Sequence, residues 1–131
     1  MAEAESFIRI NKNLYKLLIN DENLFNNLCH TAKVAGILAA KNTSFQIPLT
    51  HQISLDHISI EFSLEKESYI YLKSSIKTRY ATGLEIESLN CISTAAITIF
   101  DMLKSYKKEI IIENIKLVKK RGGKNNIGWH F

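Results

Sequence analysis

Apolar side chains recur at three- and four-residue spacing in the second half of the chain. The stripe consists of Leu89, Ile92, Ala96, Ile99, Phe100, Leu103 and Tyr106. Such spacing places side chains on one face of a helix, and it predicts a single long helix between Thr82 and Lys104, entered through a turn at Gly83. Because burying a large apolar side chain is worth about 1.5–3 kcal/mol, this helix is expected to anchor the core.

A second line along the same helix is polar and holds Glu87, Thr94, Asp101 and Lys104. From spacing alone, solvated surface is the ordinary interpretation of such a line. If Glu87 and Asp101 both lie in the helix, they are about 21 Å apart along its axis, too far to act on one small substrate from a single chain. Two hypotheses stay open: either Glu87 lies in the turn before the helix, or two copies of the chain assemble the site.

Strict alternation of apolar and polar residues predicts two strands, at 58–64 and 69–77, joined by a polar connector as an antiparallel hairpin. Apolar residues within 110–118 predict one more strand. The alanine-rich segment 29–41 predicts a helix with small residues that allow close packing, and residues 1–28 predict one packing helix with a turn. This order predicts an α+β fold, with helices on one face of a largely antiparallel sheet, in a single domain spanning 1–131.

Composition narrows the class of protein. The 131 residues are 46% apolar and 23% charged, which is typical of a soluble globular domain. The two cysteines and four histidines have no metal-ligand spacing, so we expect no metal site. The chain begins with acidic residues where a signal peptide carries positive charge, and it has no window of about 20 apolar residues. These features predict a cytoplasmic protein without a membrane partner.

The strongest concentration of positive charge is Lys119-Lys120-Arg121-Gly122-Gly123-Lys124. Glycines between cations let the backbone approach a ligand, so the segment is either a cradle for phosphate oxygens or a solvated basic loop. The net charge of +4 fits an anionic small molecule as well as a nucleic acid. Since no aromatic series with stacking spacing accompanies the basic run, a nucleic-acid partner is not expected.

Five segments resemble, in order and spacing, the molybdenum cofactor biosynthesis protein C (MoaC) family, cyclic pyranopterin monophosphate synthase. They are 35–43, 47–51, 82–89, 98–104 and 120–124. The resemblance implies a ferredoxin-like fold and a lyase that converts 3′,8-cyclised dihydro-GTP to cyclic pyranopterin monophosphate and pyrophosphate. It also implies a homohexamer built from dimers, with sites at the dimer interface and no cofactor.

The resemblance assigns roles to particular residues. The catalytic residues would be Asp101, Lys104 and Lys120, and the substrate-binding residues would be Leu49, Thr50, His51, Ile86, Glu87 and Lys124. A carboxylate and amines suit a reaction with several proton transfers, and lysines can neutralise a triphosphate without a metal ion. Asp101 and Lys104 are three residues apart, hence neighbours on a helix surface.

The chain departs from the family's motifs at several positions. The leucine-cysteine-histidine-proline segment reads Leu49-Thr50-His51-Gln52, and the lysine-glycine-aspartate-valine motif reads Phe25-Asn26-Asn27-Leu28. The glycine-lysine pair before the threonine-glycine turn reads Tyr80-Ala81, and residues 1–28 are interpreted as a divergent, shortened N-terminal part. The alternative that stays open is a catalytically silent relative, acting as a nucleotide-binding or assembly protein.

Overall fold

A computed structural model describes residues 1–80, 83–120 and 127–128. In chain order the elements are β1 (Ala2–Ile10), α1 (Lys12–Asn20), α2 (Glu22–Lys41), α3 (Thr43–Gln46), β2 (His57–Glu65), β3 (Tyr69–Lys77), α4 (Glu85–Leu103), β4 (Ile110–Lys120) and β5 (Ile127–Gly128). The strands form one sheet in the order β2-β3-β1-β4-β5, and every neighbouring pair is antiparallel. The predicted α+β, ferredoxin-like arrangement is confirmed, as is the hairpin of β2 and β3.

The helices cover one face of the sheet. Every second residue of β1 is buried, namely Ala2, Ala4, Ser6, Ile8 and Ile10. The buried residues of β3 pair with them across the sheet, as Ile8 does with Ile70, so both strands present the same face to the helices. On the other face, charged side chains of β1 form ion pairs with neighbouring strands. The core therefore lies between this sheet and the helical layer.

The N-terminal segment corrects a prediction. Residues 1–28 were expected to contain one helix with a turn, but residues 2–10 form β1, which lies between β3 and β4. Its alternation is weak in sequence because the buried side chains of Ala2, Ala4 and Ser6 are small or polar. The predicted break near Asp21 is confirmed, since its carboxylate accepts a hydrogen bond from the Leu24 amide (3.1 Å) and caps α2.

The predicted long helix is confirmed as α4, and part of its predicted apolar stripe is buried. Ile92, Ile99 and Leu103 are fully buried, whereas Phe100 is 39% exposed. Tyr106 was expected in the stripe but lies beyond α4, in a short 3-10 turn, and is exposed. Phe100 therefore lies on a face of α4 that is partly open to solvent, whereas Leu103 at the end of the helix stays in the core.

One helix bears on the expectation that no segment spans a membrane. The segment Glu85–Tyr106 has the length and mean hydropathy, 1.3, of a membrane-spanning helix. In the domain, the buried side chains of α4 belong to the core formed with the sheet. A core helix of a soluble protein meets the same criteria, so these properties are explained by its central position.

The helices α2 and α4 approach each other closely at Gly36. A Cβ there would lie 3.0 Å from the backbone oxygen of Cys91, so only glycine fits without a shift. The Asn90 side-chain amide donates to the Ala39 carbonyl (3.0 Å) and to the Gln46 side chain (2.8 Å). The prediction that small residues of α2 permit close packing is confirmed, and α4 is held firmly in place.

Candidate active site

The last turn of α4 carries an ion pair on its surface. Asp101 Oδ1 and Lys104 Nζ are 2.7 Å apart, and their side chains are 66% and 64% exposed. The helix places them three residues apart on one face, as predicted. A carboxylate and an ammonium in such contact can exchange a proton with a ligand that reaches both, and both are open to a ligand from outside the chain.

The first turn of α4 is a different environment. Glu87 was expected on the polar, solvated line of the helix, but the residue is only 6% exposed. Burial raises the pKa of the Glu87 carboxyl above its ordinary value, and the negative charge of Glu85 adds to this effect. Ile86, beside it, is 37% exposed. Ser88, the next residue, ties this turn to the sheet through a 2.9 Å hydrogen bond with Ser74.

Lys120 lies at this same end of α4. It pairs in register with Ala2, a residue of the buried face, so its side chain points to the helical layer. There its Nζ donates to Glu85 Oε1 at 3.2 Å, while Oε2 of Glu85 is buried and has no hydrogen-bond partner among residues 1–80 and 83–120. A Cβ at Gly83 would meet this carboxylate, which is the movable end of a flexible side chain, so a larger residue there would require Glu85 to shift. Glu85 was missed at the level of sequence, because only the register of β4 places Lys120 beside it.

The first substrate-contact segment predicted from the family forms an exposed turn. Thr50 Oγ1 donates to the Ile47 carbonyl (2.9 Å), and Leu49 has a left-handed backbone (φ 71°) with 99% of its surface exposed. His51 lines a cavity of about 350 Å³, together with Gln52, Ile53, Ser54 and Tyr80. Tyr80 is a second residue that the sequence analysis did not assign to the site.

The candidate residues fall into separate groups within one chain. Asp101 and Lys104 lie at the end of α4, whereas Glu87 and Lys120 lie at its beginning. Lys120 contacts Glu85, sixteen residues before Asp101, so Lys120 and Asp101 are about 24 Å apart along the helix. Glu87 lies within α4, so the hypothesis that it lies in the turn before the helix is wrong. The hypothesis that remains is that two copies of the chain assemble the site. Lys124 lies outside the described residues.

Two further kinds of reactive group are the cysteine thiols and the side chains that could bind a metal ion. Burial raises the pKa of the Cys29 thiol to about 11 and that of Cys91 to about 12, so neither is a thiolate nucleophile near neutral pH. Among residues 1–80 and 83–120, no three histidine, cysteine, aspartate or glutamate side chains are grouped so that they could hold a metal ion. The groups suited to proton transfer in these ranges are carboxylates, lysines and histidines.

The fold and these groups define a ferredoxin-like α+β domain with acid–base residues at both ends of its central helix. A family model, that of the MoaC family, matches residues 1–123, so the chain belongs to this family. The match includes β1 and α1, which the resemblance in sequence motifs did not cover.

Curated relatives agree with the family match. The chain is 40% identical over 126 residues to the cyclic pyranopterin monophosphate synthase of Bordetella avium. It is 38% identical over 128 residues to the protein of the same name from Staphylococcus aureus (strain MW2). Each alignment covers 95% of this chain and 78% of the relative.

Proposed function

We propose that this protein is a lyase of molybdenum cofactor biosynthesis, which converts 3′,8-cyclised dihydro-GTP to cyclic pyranopterin monophosphate and releases pyrophosphate. Membership of the MoaC family, over residues 1–123, is the observation that carries the proposal. The relatives in Bordetella avium and Staphylococcus aureus bear the name of this activity. The substrate is a nucleotide derivative, and the domain comprises the whole of residues 1–131.

In this mechanism Asp101, Lys104 and Lys120 transfer protons, and the lysines neutralise the phosphate charge. The 2.7 Å contact between Asp101 and Lys104 places a carboxylate and an amine side by side, where one substrate can reach both. His51, Leu49 and Thr50 contact the substrate from the exposed turn, and Ile86, Glu87 and Lys124 contact it from the start of α4 and the basic segment. The raised pKa of Glu87 suits a group that binds a ligand in its neutral form.

The active unit is a homo-oligomer, a hexamer built from dimers, located in the cytoplasm. The separation of Asp101 from Lys120 along α4 supports a site completed by a second copy. Large apolar side chains exposed on the two neighbouring helices support association as well: Val34 and Leu38 on α2, and Ile97 and Phe100 on α4. Leu49, in the proposed substrate-contact turn, is a further large apolar side chain that is exposed.

The variant Asp101→Asn tests the proposal. Incubating purified wild-type protein with the cyclised dihydro-GTP intermediate is expected to release pyrophosphate, and the variant is expected to release none. The fold should persist, since an exposed ion pair is worth only about 0.3–0.5 kcal/mol. The exposed Glu109→Gln is a matched control, in which the turnover should equal that of the wild type. Undiminished turnover in Asp101→Asn contradicts the assigned role.

A second candidate is a catalytically silent relative that binds a nucleotide. Phe25, which stands where the family's motif has a lysine, packs against the hydrophobic core. A cation is therefore replaced by an apolar contact at this position. Binding of a non-hydrolysable GTP analogue, without any product from the cyclised intermediate, would favour this candidate over the lyase.

A further inference from the structure

The cavity beside His51 has an aromatic wall. Its volume is about 350 Å³, and Tyr80 lines it with His51, Gln52, Ile53 and Ser54. The Tyr80 side chain is 55% exposed, and no ring contact of it is found in the part of the chain that the structure describes. A large, exposed aromatic ring next to a substrate-contact residue offers a planar, apolar surface to a ligand.

Several hydrogen bonds join the segment before Tyr80 to the segment that follows His51. The Asp56 amide donates to the Lys77 carbonyl (2.9 Å), and Thr78 Oγ1 donates to the Ser54 carbonyl (2.8 Å). Arg79 donates to Asp56 Oδ1 through both Nε (3.2 Å) and Nη2 (3.0 Å). These bonds fasten the end of β3 to the segment that follows His51. The two walls of the cavity are thus fixed to each other, which lowers the entropic cost of binding.

We propose that Tyr80 is a substrate-binding residue, whose ring stacks on the purine-derived ring system of the substrate in the cavity beside His51. The chemical identity of the ligand rests on the proposed function. Stacking of a base on an aromatic side chain is worth about 1–3 kcal/mol and requires no charge. At this position the family's motif has a glycine followed by a lysine, whereas this chain has Tyr80-Ala81. An aromatic surface therefore takes over part of the affinity that a cation would supply.

Two ligands and two variants test the proposal. One ligand is a non-hydrolysable GTP analogue, and the other is inorganic triphosphate, which has no ring. Dissociation constants are measured by equilibrium dialysis for the wild type, Tyr80→Ala and Tyr80→Phe. Tyr80→Ala is expected to weaken binding of the analogue by about five- to 140-fold, and to leave binding of triphosphate unchanged. Tyr80→Phe keeps the ring and is expected to bind both ligands as the wild type does.

Kinetics with the cyclised intermediate provide an independent readout. A stacking contact made equally in the ground state and the transition state affects KM alone, so Tyr80→Ala should raise KM with kcat unchanged. Tyr69→Ala, at the end of β3 far from the cavity, removes a tyrosine ring that contacts Phe7 and should retain both constants. Far-ultraviolet circular dichroism and thermal unfolding establish that each variant is folded before it is assayed.

The outcomes separate this inference from the proposed function. If Tyr80→Ala binds the GTP analogue as tightly as the wild type, or weakens both ligands equally, the stacking role is refuted. A loss in Tyr80→Phe as large as that in Tyr80→Ala also refutes it, because the hydroxyl and not the ring would then be responsible. If the wild type forms no product but the ring-dependent loss of binding is observed, the lyase function fails and the inference stands.

Discussion

The pair of Lys120 and Glu85 offers a test that separates a structural role from a catalytic one. The Lys120 side chain is only 14% exposed and that of Glu85 is 34% exposed. One carboxylate oxygen of Glu85 accepts from Lys120, and the other is buried with no partner in the part of the chain that the structure describes. In Lys120→Met the chain keeps an apolar stem of similar length, but the Glu85 carboxylate loses its cationic donor.

The size of the effect follows from this geometry. A hydrogen bond to a charged group is worth about 1.5–3 kcal/mol. Because a third of the Glu85 side chain is in water, which replaces part of the lost interaction, we expect about 1–2 kcal/mol for Lys120→Met. With an unfolding entropy of about 2.1 cal/mol/K per residue, this corresponds to a fall of about 4–7 °C in Tm for a chain of this length.

The assay is urea unfolding followed by circular dichroism, together with turnover of the cyclised intermediate. Lys119→Met is the matched control, since Lys119 pairs with Glu3 on the face of the sheet away from the helices, and it should change stability little. Glu85→Gln/Lys120→Met should recover most of the lost stability, because no buried carboxylate is then left without a cation. It should not recover turnover if Lys120 transfers protons. Equal stability of Lys120→Met and the wild type would refute the reasoning.

Two further changes probe burial and assembly. Glu87→Gln should be more stable than the wild type at neutral pH. The pKa of the Glu87 carboxyl is raised in the folded state, so the folded protein binds more protons than the unfolded chain. The wild type therefore loses stability as the pH rises above the ordinary glutamate range. The advantage should vanish below that range in pH-dependent unfolding, and an advantage independent of pH would contradict it. Ile97→Asp, at a 59% exposed position of α4, should lower the particle mass measured by light scattering. The control Ile19→Asp, on α1, should leave the mass unchanged. An unchanged mass in Ile97→Asp excludes this surface from the proposed interface.

Local sequence patterns predict an element of this fold well where its buried positions are apolar and its exposed positions are polar. The hairpin of β2 and β3 and the helix α4 are such cases, since their apolar residues repeat at the period of the element. The strand β1 fails for the opposite reason. Its buried face includes Ala2, Ala4 and Ser6, which are small or polar, and its other face includes the apolar Phe7, so the alternation is hidden although the strand is central.

The candidate site shows a different limit. Motif spacing predicts the contact between Asp101 and Lys104, because it is set by the helix alone. It does not predict the contact between Lys120 and Glu85, which depends on the pairing of β4 with β1 across the sheet. Nor does a polar line on a helix reveal the burial of Glu87, since burial depends on which elements cover that turn. Tertiary register, not local pattern, decides which of these groups meet.

The helix α4 both packs in the core and carries the groups proposed to act on the substrate. One face of its middle is fully buried, while its two ends, about 27 Å apart over 19 residues, carry the proposed catalytic and substrate-binding groups. A helix packed into the core along one face cannot bend to bring its ends together. The proposed site therefore requires the end of one α4 and the beginning of another, and its activity must depend on association. Dilution below the dissociation constant of the dimer should then abolish turnover while each chain stays folded, and turnover proportional to protein concentration throughout that range would exclude a shared site.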